Sequence, residues 1–263
     1  MRKRVAFLTA LLLALSSAPA YGEAYTEKTY IGSLAAEFSA EDRIGDTSLG
    51  ILAADAYLEA CPDAVISLTL RREYTGSLPS GALVWGDILQ VFPEEQPLCT
   101  AKITAAQLKA ALEVCLAGIV TDEKGNSFLG EGKESFFCPG GFSVRIDTFQ
   151  PAGNRVKSIK LDNGAEAPLD NDYIPLTLAA HPETMALLFP GTEVLPVDRT
   201  PGEAVADFLS GEQQYAPRIT NRITLAARGP EMWVLITAAG CGSLVIVSLM
   251  LFLFRRNRKK ARL

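Results

Sequence analysis

The sequence predicts one domain of mixed α and β structure (α+β), preceded by a signal peptide and followed by one transmembrane helix. Three observations lead to this prediction. Helix-like and strand-like segments are interspersed along residues 25–227. Residues 1–20 have the three-part composition of a secretory signal, and residues 232–254 form an apolar run without charged side chains. The 263 residues suffice for one ordinary domain with these additions.

The two ends predict the topology. Three cations at positions 2–4 precede a short apolar segment and Ala18-Pro19-Ala20, so we expect cleavage after Ala20 or, alternatively, after Ala24. Residues 232–254 are long enough to cross the ~30 Å hydrocarbon layer as a helix. The tail, residues 255–263, is basic and should stay in the cytoplasm. The sequence therefore predicts a single-pass type I protein of the cell membrane, with its domain extracellular.

The part of the chain between the two apolar segments is strongly acidic. It holds 16 Lys and Arg against all 30 Asp and Glu. Such a surface repels polyanions, so nucleic-acid binding through phosphates is disfavoured. The cations of the tail instead suit the anionic headgroups of the inner leaflet.

The first two elements of the domain are a helix and a buried strand. Apolar residues at helical spacing predict a helix over residues 48–60, with Asp46 or Thr47 as its N-cap. Residues 64–70, AVISLTL, are β-rich and almost wholly apolar. This composition is typical of a strand covered on both faces.

Residues 87–113, DILQVFPEEQPLCTAKITAAQLKAALE, predict a short apolar strand, a turn, a second strand and an amphipathic helix. The turn carries Glu94, Glu95 and Gln96. The helix, over residues 104–116, begins with the capping-box pattern of a Thr followed three positions later by a Gln.

The second half of the domain is mainly strands. We predict a polar loop at residues 121–134 and a turn into a strand at 136–147. Residues 154–180 should form a hairpin around Asn163-Gly164 and a further strand. A short helix at 201–212 and a final strand at 218–227 complete the domain.

Four cysteines, Cys61, Cys99, Cys115 and Cys138, lie in the external part. They permit three pairings, and sequence alone does not choose among them or between disulfides and buried free thiols. Their spacing contains no C-x-x-C pair, so zinc is poorly supported. No metal or other cofactor is predicted.

Several segments, in their order and spacing, resemble the C-terminal domain of the 5′-nucleotidase family. The matching stretches cover nearly all of residues 25–227 and include SLGILAADA, VFPEEQPLCTAKITAAQLKAALE, FFCPGGFSVRIDTFQPAGNRV, GAEAPLDNDYIPLT and NRIT. The resemblance implies the layered fold of that domain and a role in recognising a nucleoside or nucleotide.

Catalysis in the family resides in a separate metallophosphatase domain, where Asp, His and Asn side chains hold two metal ions. This sequence has one histidine, His181, and no room for such a domain before residue 48. We expect His181 to be an ordinary surface or loop residue and the chain alone not to be an enzyme. A separate hydrolase site on Asp55, Asp87 or Glu113 is disfavoured, since these carboxylates have no evident nucleophile or metal partner.

The resemblance also implies candidate ligand-binding residues. Either Arg71 or Arg72 matches an arginine that holds part of the ligand. Gln96 stands where the family has an asparagine that reads the base, and Gly141 matches a glycine of the same site. Phe142 is a further candidate, since it belongs to a group that offers a replacement aromatic surface: Phe136, Phe137 and Phe142. Phenylalanines beside a buried strand are, however, usually core residues.

The family's stacking rings are absent. Glu94 replaces one ring, the other falls near Ala180, and an acidic ribose contact falls near Ala186. Stacking contributes about 1–3 kcal/mol per base in nucleic-acid systems, so the site is altered or lost. If it is lost, Glu94 and Glu95 are solvated turn residues and Arg72 pairs with a nearby carboxylate.

Three roles remain open. The first is a membrane-anchored extracellular module that binds a nucleoside- or nucleotide-like molecule, or a partner, without catalysis. The second is the substrate-recognition half of a split nucleotidase that works with a separate metallophosphatase. The third is a structural or adhesive surface domain.

Overall fold

The computed structural model describes residues 25–124, 126–169, 175–210, 214–217 and 220–226. The predicted signal peptide and transmembrane segment lie outside these residues. No helix within the described ranges is both long and apolar enough to cross a membrane. The chain divides into two units after Thr224, and the fold below is that of the first.

Five α-helices are interspersed among fifteen strands along the described residues. The helices are α1 (Ser48–Ala60), α2 (Trp85–Val91), α3 (Ala105–Leu116), α4 (Pro182–Leu188) and α5 (Pro201–Ser210). The strands of the first half are β1 (Tyr30–Leu34), β2 (Phe38–Ser39), β3 (Ile66–Leu70), β4 (Ser77–Leu78), β5 (Gly81–Val84), β6 (Cys99–Thr104), β7 (Ile119–Thr121) and β8 (Ser127–Leu129). Those of the second half are β9 (Phe137–Gly140), β10 (Phe142–Ile146), β11 (Val156–Leu161), β12 (Glu166–Ala167), β13 (Pro175–Ala180), β14 (Val194–Pro196) and β15 (Ile223–Leu225).

A five-stranded mixed sheet forms the middle of the domain, in the order β14-β6-β13-β3-β9. β13 runs parallel to β3, and β6 and β9 run antiparallel to their neighbours. Ala180 pairs with both Leu68 of β3 and Cys99 of β6. The ends of β3 and β13 therefore lie at the same edge of the sheet as the beginning of β6.

Two hydrophobic cores cover the two faces of this sheet. The first contains residues of the central sheet, of α3 and of a four-stranded sheet ordered β12-β11-β10-β15. The second contains residues of α1, α2 and α5. Leu178 and Ala180 of β13 belong to the first core, and Ala179 belongs to the second, as the two-residue period of a strand requires.

The chain passes from one sheet to the other at Gly141, between β9 and β10. Gly141 has φ +74°, and a Cβ there would lie 2.4 Å from the Val65 carbonyl oxygen. Only glycine fits this position without strain and a clash with the backbone.

The structure confirms the elements with the clearest periodicity and caps. α1 has the predicted bounds, and the Thr47 hydroxyl caps it by accepting from the Gly50 amide at 3.1 Å. All five residues of β3 are buried. α3 begins at the capping box formed by Thr104 and Gln107. The hairpin of β11 and β12, the strand β13 and the helix α5 also lie where they were predicted.

Two local predictions were wrong. The apolar stretch after residue 84 is the helix α2, not a strand: the Asp87 carboxylate accepts from the Val84 amide at 2.9 Å, and Trp85, Ile88 and Val91 share a buried helical face. Residues 121–134 are not simply a loop, because β7 and β8 form a hairpin in which Val120 pairs with Phe128. The four cysteines described above are free and buried.

Candidate functional site

Three segments of the chain meet at one edge of the central sheet. We define the β3–β13 edge as Arg71–Glu73 after β3, His181 after β13, and the turn 94–97 before β6. The loops that leave the carboxyl ends of parallel strands are a common place for ligands in sheets with helices on their faces. The edge combines cationic, acidic and imidazole side chains that are far apart in the sequence.

The structure distinguishes the two arginines that follow β3. The Arg71 guanidinium is largely buried, at 10% exposure, and forms an ion pair with Asp42 at 2.7 Å. It also donates to the Ala40 carbonyl oxygen at 2.7 Å. Arg71 therefore links the end of β3 to the residues that follow β2. Arg72 is exposed and donates to the Ser135 hydroxyl at 2.8 Å. Arg72 is therefore the arginine that can turn to a ligand, and its hydrogen bond goes to a hydroxyl rather than a carboxylate.

The turn before β6 presents a carboxylate and an amide at the same edge. Glu94 is half-buried, and Gln96 is exposed. The end of the turn is held by two backbone hydrogen bonds, in which the Leu98 amide donates to the Arg199 carbonyl oxygen and the Leu98 carbonyl oxygen accepts from the Val197 amide, both at 2.7 Å. The turn thus has a fixed base and polar side chains at its tip.

Glu73 is a buried acid that links β3 to α4. Its Oε1 accepts from the Leu70 amide at 3.1 Å and from the Thr184 hydroxyl. Burial raises the pKa of Glu73 to about 7, against the lowering effect of the hydrogen bonds from Thr184 and Leu70. Its Oε2 and the Tyr57 hydroxyl are both buried without a hydrogen bond of normal geometry. The two groups nevertheless interact: the Tyr57 hydroxyl lowers the pKa of Glu73, and burial together with the Glu73 carboxylate raises the pKa of Tyr57.

His181 is buried, at 1% exposure, so it is not a surface residue, but it does lie in the connection between β13 and α4, as expected of a loop residue. It is the N-cap of α4, and its Nδ1 accepts from the Glu183 amide at 3.4 Å. Burial lowers the pKa of His181, although the nearby Glu94 and Glu183 charges act in the opposite direction. A neutral ring that accepts at Nδ1 carries its proton on Nε2, and this buried Nε2 has no partner among the described residues.

Gly141 and Phe142 lie elsewhere. Gly140 pairs with Ser67, so Gly141 is near the beginning of β3, at the end of the strand opposite to the β3–β13 edge. The candidate rings, Phe136, Phe137 and Phe142, are all buried in the first hydrophobic core. They therefore form core rather than a replacement aromatic surface, and the role of Gly141 is the backbone turn between two sheets.

Glu73, Tyr57 and Thr184 were not identified from the sequence. A Glu two residues after an arginine, or a Tyr in an apolar helix, carries no signal that it will be buried next to another polar group. The N-capping position of His181 was readable, since it directly precedes Pro182 and a helical segment. No three His, Cys, Asp or Glu side chains of the described residues are grouped so that they could hold a metal ion.

The described residues form an α+β domain in which helices and a second sheet cover the two faces of a mixed central sheet. The chain belongs to the 5′-nucleotidase family through its C-terminal domain: the family model described as 5′-nucleotidase, C-terminal domain, matches residues 24–174. A search among curated proteins found no match.

Solved structures share the fold at low sequence identity. A 5′-nucleotidase precursor from Thermus thermophilus matches 87% of this chain and 43% of its own, at 17% identity and a TM-score of 0.64. An NAD nucleotidase from Haemophilus influenzae matches 77% of this chain and 39% of its own, at 12% identity and a TM-score of 0.59. A sulfate thiohydrolase, also from Thermus thermophilus and solved with glycerol, matches 87% and 39%, at 18% identity and a TM-score of 0.58. This chain thus spans about two fifths of each of these proteins.

Proposed function

We propose that this chain is a membrane-anchored extracellular recognition module, which binds a nucleoside- or nucleotide-like molecule at the β3–β13 edge and does not hydrolyse it alone. The observation that carries the proposal is the placement of Arg72, Glu94 and Gln96 on segments that leave or enter the central sheet at this edge. The guanidinium suits a phosphate, while the carboxylate and the amide suit the donor groups of a base or ribose. Hydrogen bonds would then replace the stacking that Glu94 and Ala180 cannot supply.

The membrane anchor in this proposal rests on the sequence of residues 232–254 and on the cations that follow it. Its test is extraction of membranes at alkaline pH, which removes peripheral proteins. The full chain should stay in the membrane fraction, and a variant that ends at residue 231 should leave it. Protease added to intact cells should digest the domain and spare an epitope placed after residue 263. Release of the full chain at alkaline pH would contradict the anchor.

The binding proposal is tested by calorimetric titration of the full chain, purified in detergent, with adenosine and with AMP, while phosphate release is assayed in parallel. We expect saturable binding of both without phosphate release. Arg72→Ala should weaken AMP about tenfold and adenosine much less, because a charge-assisted bond to the phosphate contributes roughly 1.5–3 kcal/mol. Gln96→Ala should weaken both ligands.

A matched control uses Arg145, an exposed arginine on the outer face of β10. Arg145→Ala removes the same charge away from the edge and should leave both affinities unchanged. Absence of saturable heat with either ligand, or an equal loss in the Arg72 and Arg145 variants, would refute the proposal.

A second candidate function is the recognition half of a split nucleotidase. This function is favoured by the share of the known nucleotidases that the chain matches, which is about two fifths of each. A second protein would supply the remaining part. In that case a separate metallophosphatase should co-purify from cross-linked membranes. The purified pair should release phosphate from AMP, and chelation of metal should abolish this activity. Failure to recover a metal-dependent phosphatase would contradict the split nucleotidase and leave ligand recognition without catalysis as the proposed function.

A further inference from the structure

A groove lies between the end of α1, the start of α5 and the segment 197–199 that follows β14. Its volume is about 410 Å³, within the roughly 300–1,000 Å³ of sites for small molecules. Ala56 and Ala204 are buried and give it an apolar floor, and the half-buried Phe208 forms part of a wall. None of its lining residues belongs to the β3–β13 edge, so the groove is a separate feature.

The rim of the groove is acidic. The lining residues include three with carboxylates, Glu59, Asp198 and Asp207, and one cation, Arg199. Arg199 is held in place, because its Nε donates to Asp207 Oδ2 at 2.8 Å and its Nη1 to the Asp198 carbonyl oxygen at 2.7 Å. The rim thus carries an excess of two negative charges.

Two of the three carboxylates, those of Glu59 and Asp198, can bind a ligand. Asp207 is already engaged, since Tyr25 donates to its Oδ1 at 2.8 Å and Arg199 occupies its Oδ2. Glu59 and Asp198 are exposed, and within the described part of the chain neither side chain has a hydrogen-bond or ion-pair partner. An anion would be repelled here, and a neutral apolar molecule would leave both charges unused.

We propose that this groove binds a small aliphatic polyamine. Its methylene chain would lie on the alanine floor, and its ammonium groups would contact the Glu59 and Asp198 carboxylates. The face of the Phe208 ring offers an additional favourable contact for a cation. Both carboxylates line the same groove, so a molecule with more than one ammonium group can pair with both.

The test is titration of the full chain in detergent with spermidine, at low and at physiological ionic strength. We expect saturable binding by one molecule per chain. A neutral compound of similar length, 1,8-octanediol, should not bind. The double variant Glu59→Gln/Asp198→Asn should raise the Kd about tenfold, since each exposed ion pair contributes up to about a factor of five.

A matched double variant, Glu37→Gln/Glu131→Gln, removes two exposed carboxylates elsewhere and should change the Kd less than twofold. Ala60→Leu, in the partly buried last turn of α1, places a larger side chain in the groove and should abolish binding without changing the melting temperature by more than a few degrees. Equal loss in the two double variants would mean that spermidine binds the acidic surface in general, and it would overturn the proposal. So would unchanged affinity in Ala60→Leu, or no saturable binding at millimolar spermidine.

Discussion

Glu73 is the residue on which the β3–β13 edge most depends. It is buried, and one carboxyl oxygen links β3 to Thr184 of α4. The other oxygen has no hydrogen bond of normal geometry, although the Tyr57 hydroxyl is close enough to lower the pKa of Glu73. A buried carboxylate that is incompletely satisfied is costly when charged. The protonation of Glu73 therefore affects the stability of the edge within the physiological pH range.

We predict that the free energy of unfolding falls as pH rises from about 5 to 8. The unfolded chain loses the Glu73 proton near its ordinary pKa of 4.5, whereas the folded domain keeps it until about pH 7. The stabilisation from this proton is thus complete below the unfolded pKa and is lost as pH rises through the folded one. The loss should be about 2–3 kcal/mol over this range.

Glu73→Gln should remove this part of the pH dependence, because the amide keeps an acceptor oxygen for Leu70 and Thr184 and does not titrate. The measurement is chemical denaturation of residues 25–226 at several pH values, for the wild-type and the variant. The difference between the two proteins isolates Glu73 from His181, whose lowered pKa acts in the opposite direction, reducing stability as pH falls. Parallel pH profiles would show that Glu73 does not titrate in this range.

Gly141→Ala should destabilise the domain by about 2–4 kcal/mol. The positive φ strains any L-residue, and the added Cβ meets the Val65 carbonyl oxygen. Gly164 is the matched control, since it has φ +87° with no atom within 4 Å of an added Cβ. Gly164→Ala should cost only about 1 kcal/mol. Denaturation midpoints that fall equally in the two variants would show that the close approach at Gly141 has no energetic consequence.

Single residues were the least predictable level of this structure. The resemblance to the family pointed to Arg71 or Arg72 and to the turn with Glu94 and Gln96, and it did not distinguish the two arginines. The burial of Glu73 and His181 depends on helix α4 packing over the end of β3, which is a long-range contact with no local pattern. The burial of Phe142 likewise depends on long-range packing, because the strand β10 carries it into the first core.

At the scale of secondary-structure elements, local signals explain which predictions were confirmed. α1 and α3 have side-chain caps and long apolar stripes, and these signals act within the segment itself. The helix α2 has only seven residues, so it is too short for a long apolar stripe. Its apolar residues fit a strand equally well, and the packing of Trp85, Ile88 and Val91 in the second core selects the helix. The β7–β8 hairpin was missed because each of its strands has only three residues and the segment between them is polar.

The last strand is held by an aspartate from the other end of the domain. Asp46 accepts from the Arg222 amide at 2.6 Å and the Ile223 amide at 3.1 Å, and Arg222 pairs with Asp55 at 2.7 Å. Asp46→Ala should release β15, so the Ile223 amide should exchange with solvent at least about tenfold faster, since each lost bond contributes about 1 kcal/mol. Hydrogen exchange followed by NMR measures this rate.

Asp63 provides the comparison for that experiment, because it is exposed and distant from β15 in the chain. Asp63→Ala should leave the exchange of Ile223 unchanged. Unaltered exchange in Asp46→Ala would mean that pairing with β10 alone holds the last strand.

The domain combines an acidic composition with the fold of a 5′-nucleotidase C-terminal domain. The net negative charge of residues 25–227 disfavours long polyanions, but a small ligand meets only the local charges of the edge it contacts. At the β3–β13 edge these are Arg72 on one side and Glu94 on the other. In the groove between α1 and α5 they are carboxylates. The edge therefore suits a ligand that combines an anionic group with hydrogen-bond donors, whereas the groove suits a cation.

The central claim, that the β3–β13 edge recognises a nucleotide-like ligand, is tested most directly by hydrogen-exchange mass spectrometry of the full chain with and without AMP. The account predicts slower exchange in peptides that cover residues 70–73, 94–98 and 181–184, with little change in α1 or in the β7–β8 hairpin. Unchanged exchange at all three segments under saturating AMP, or protection confined to other parts of the domain, would contradict it.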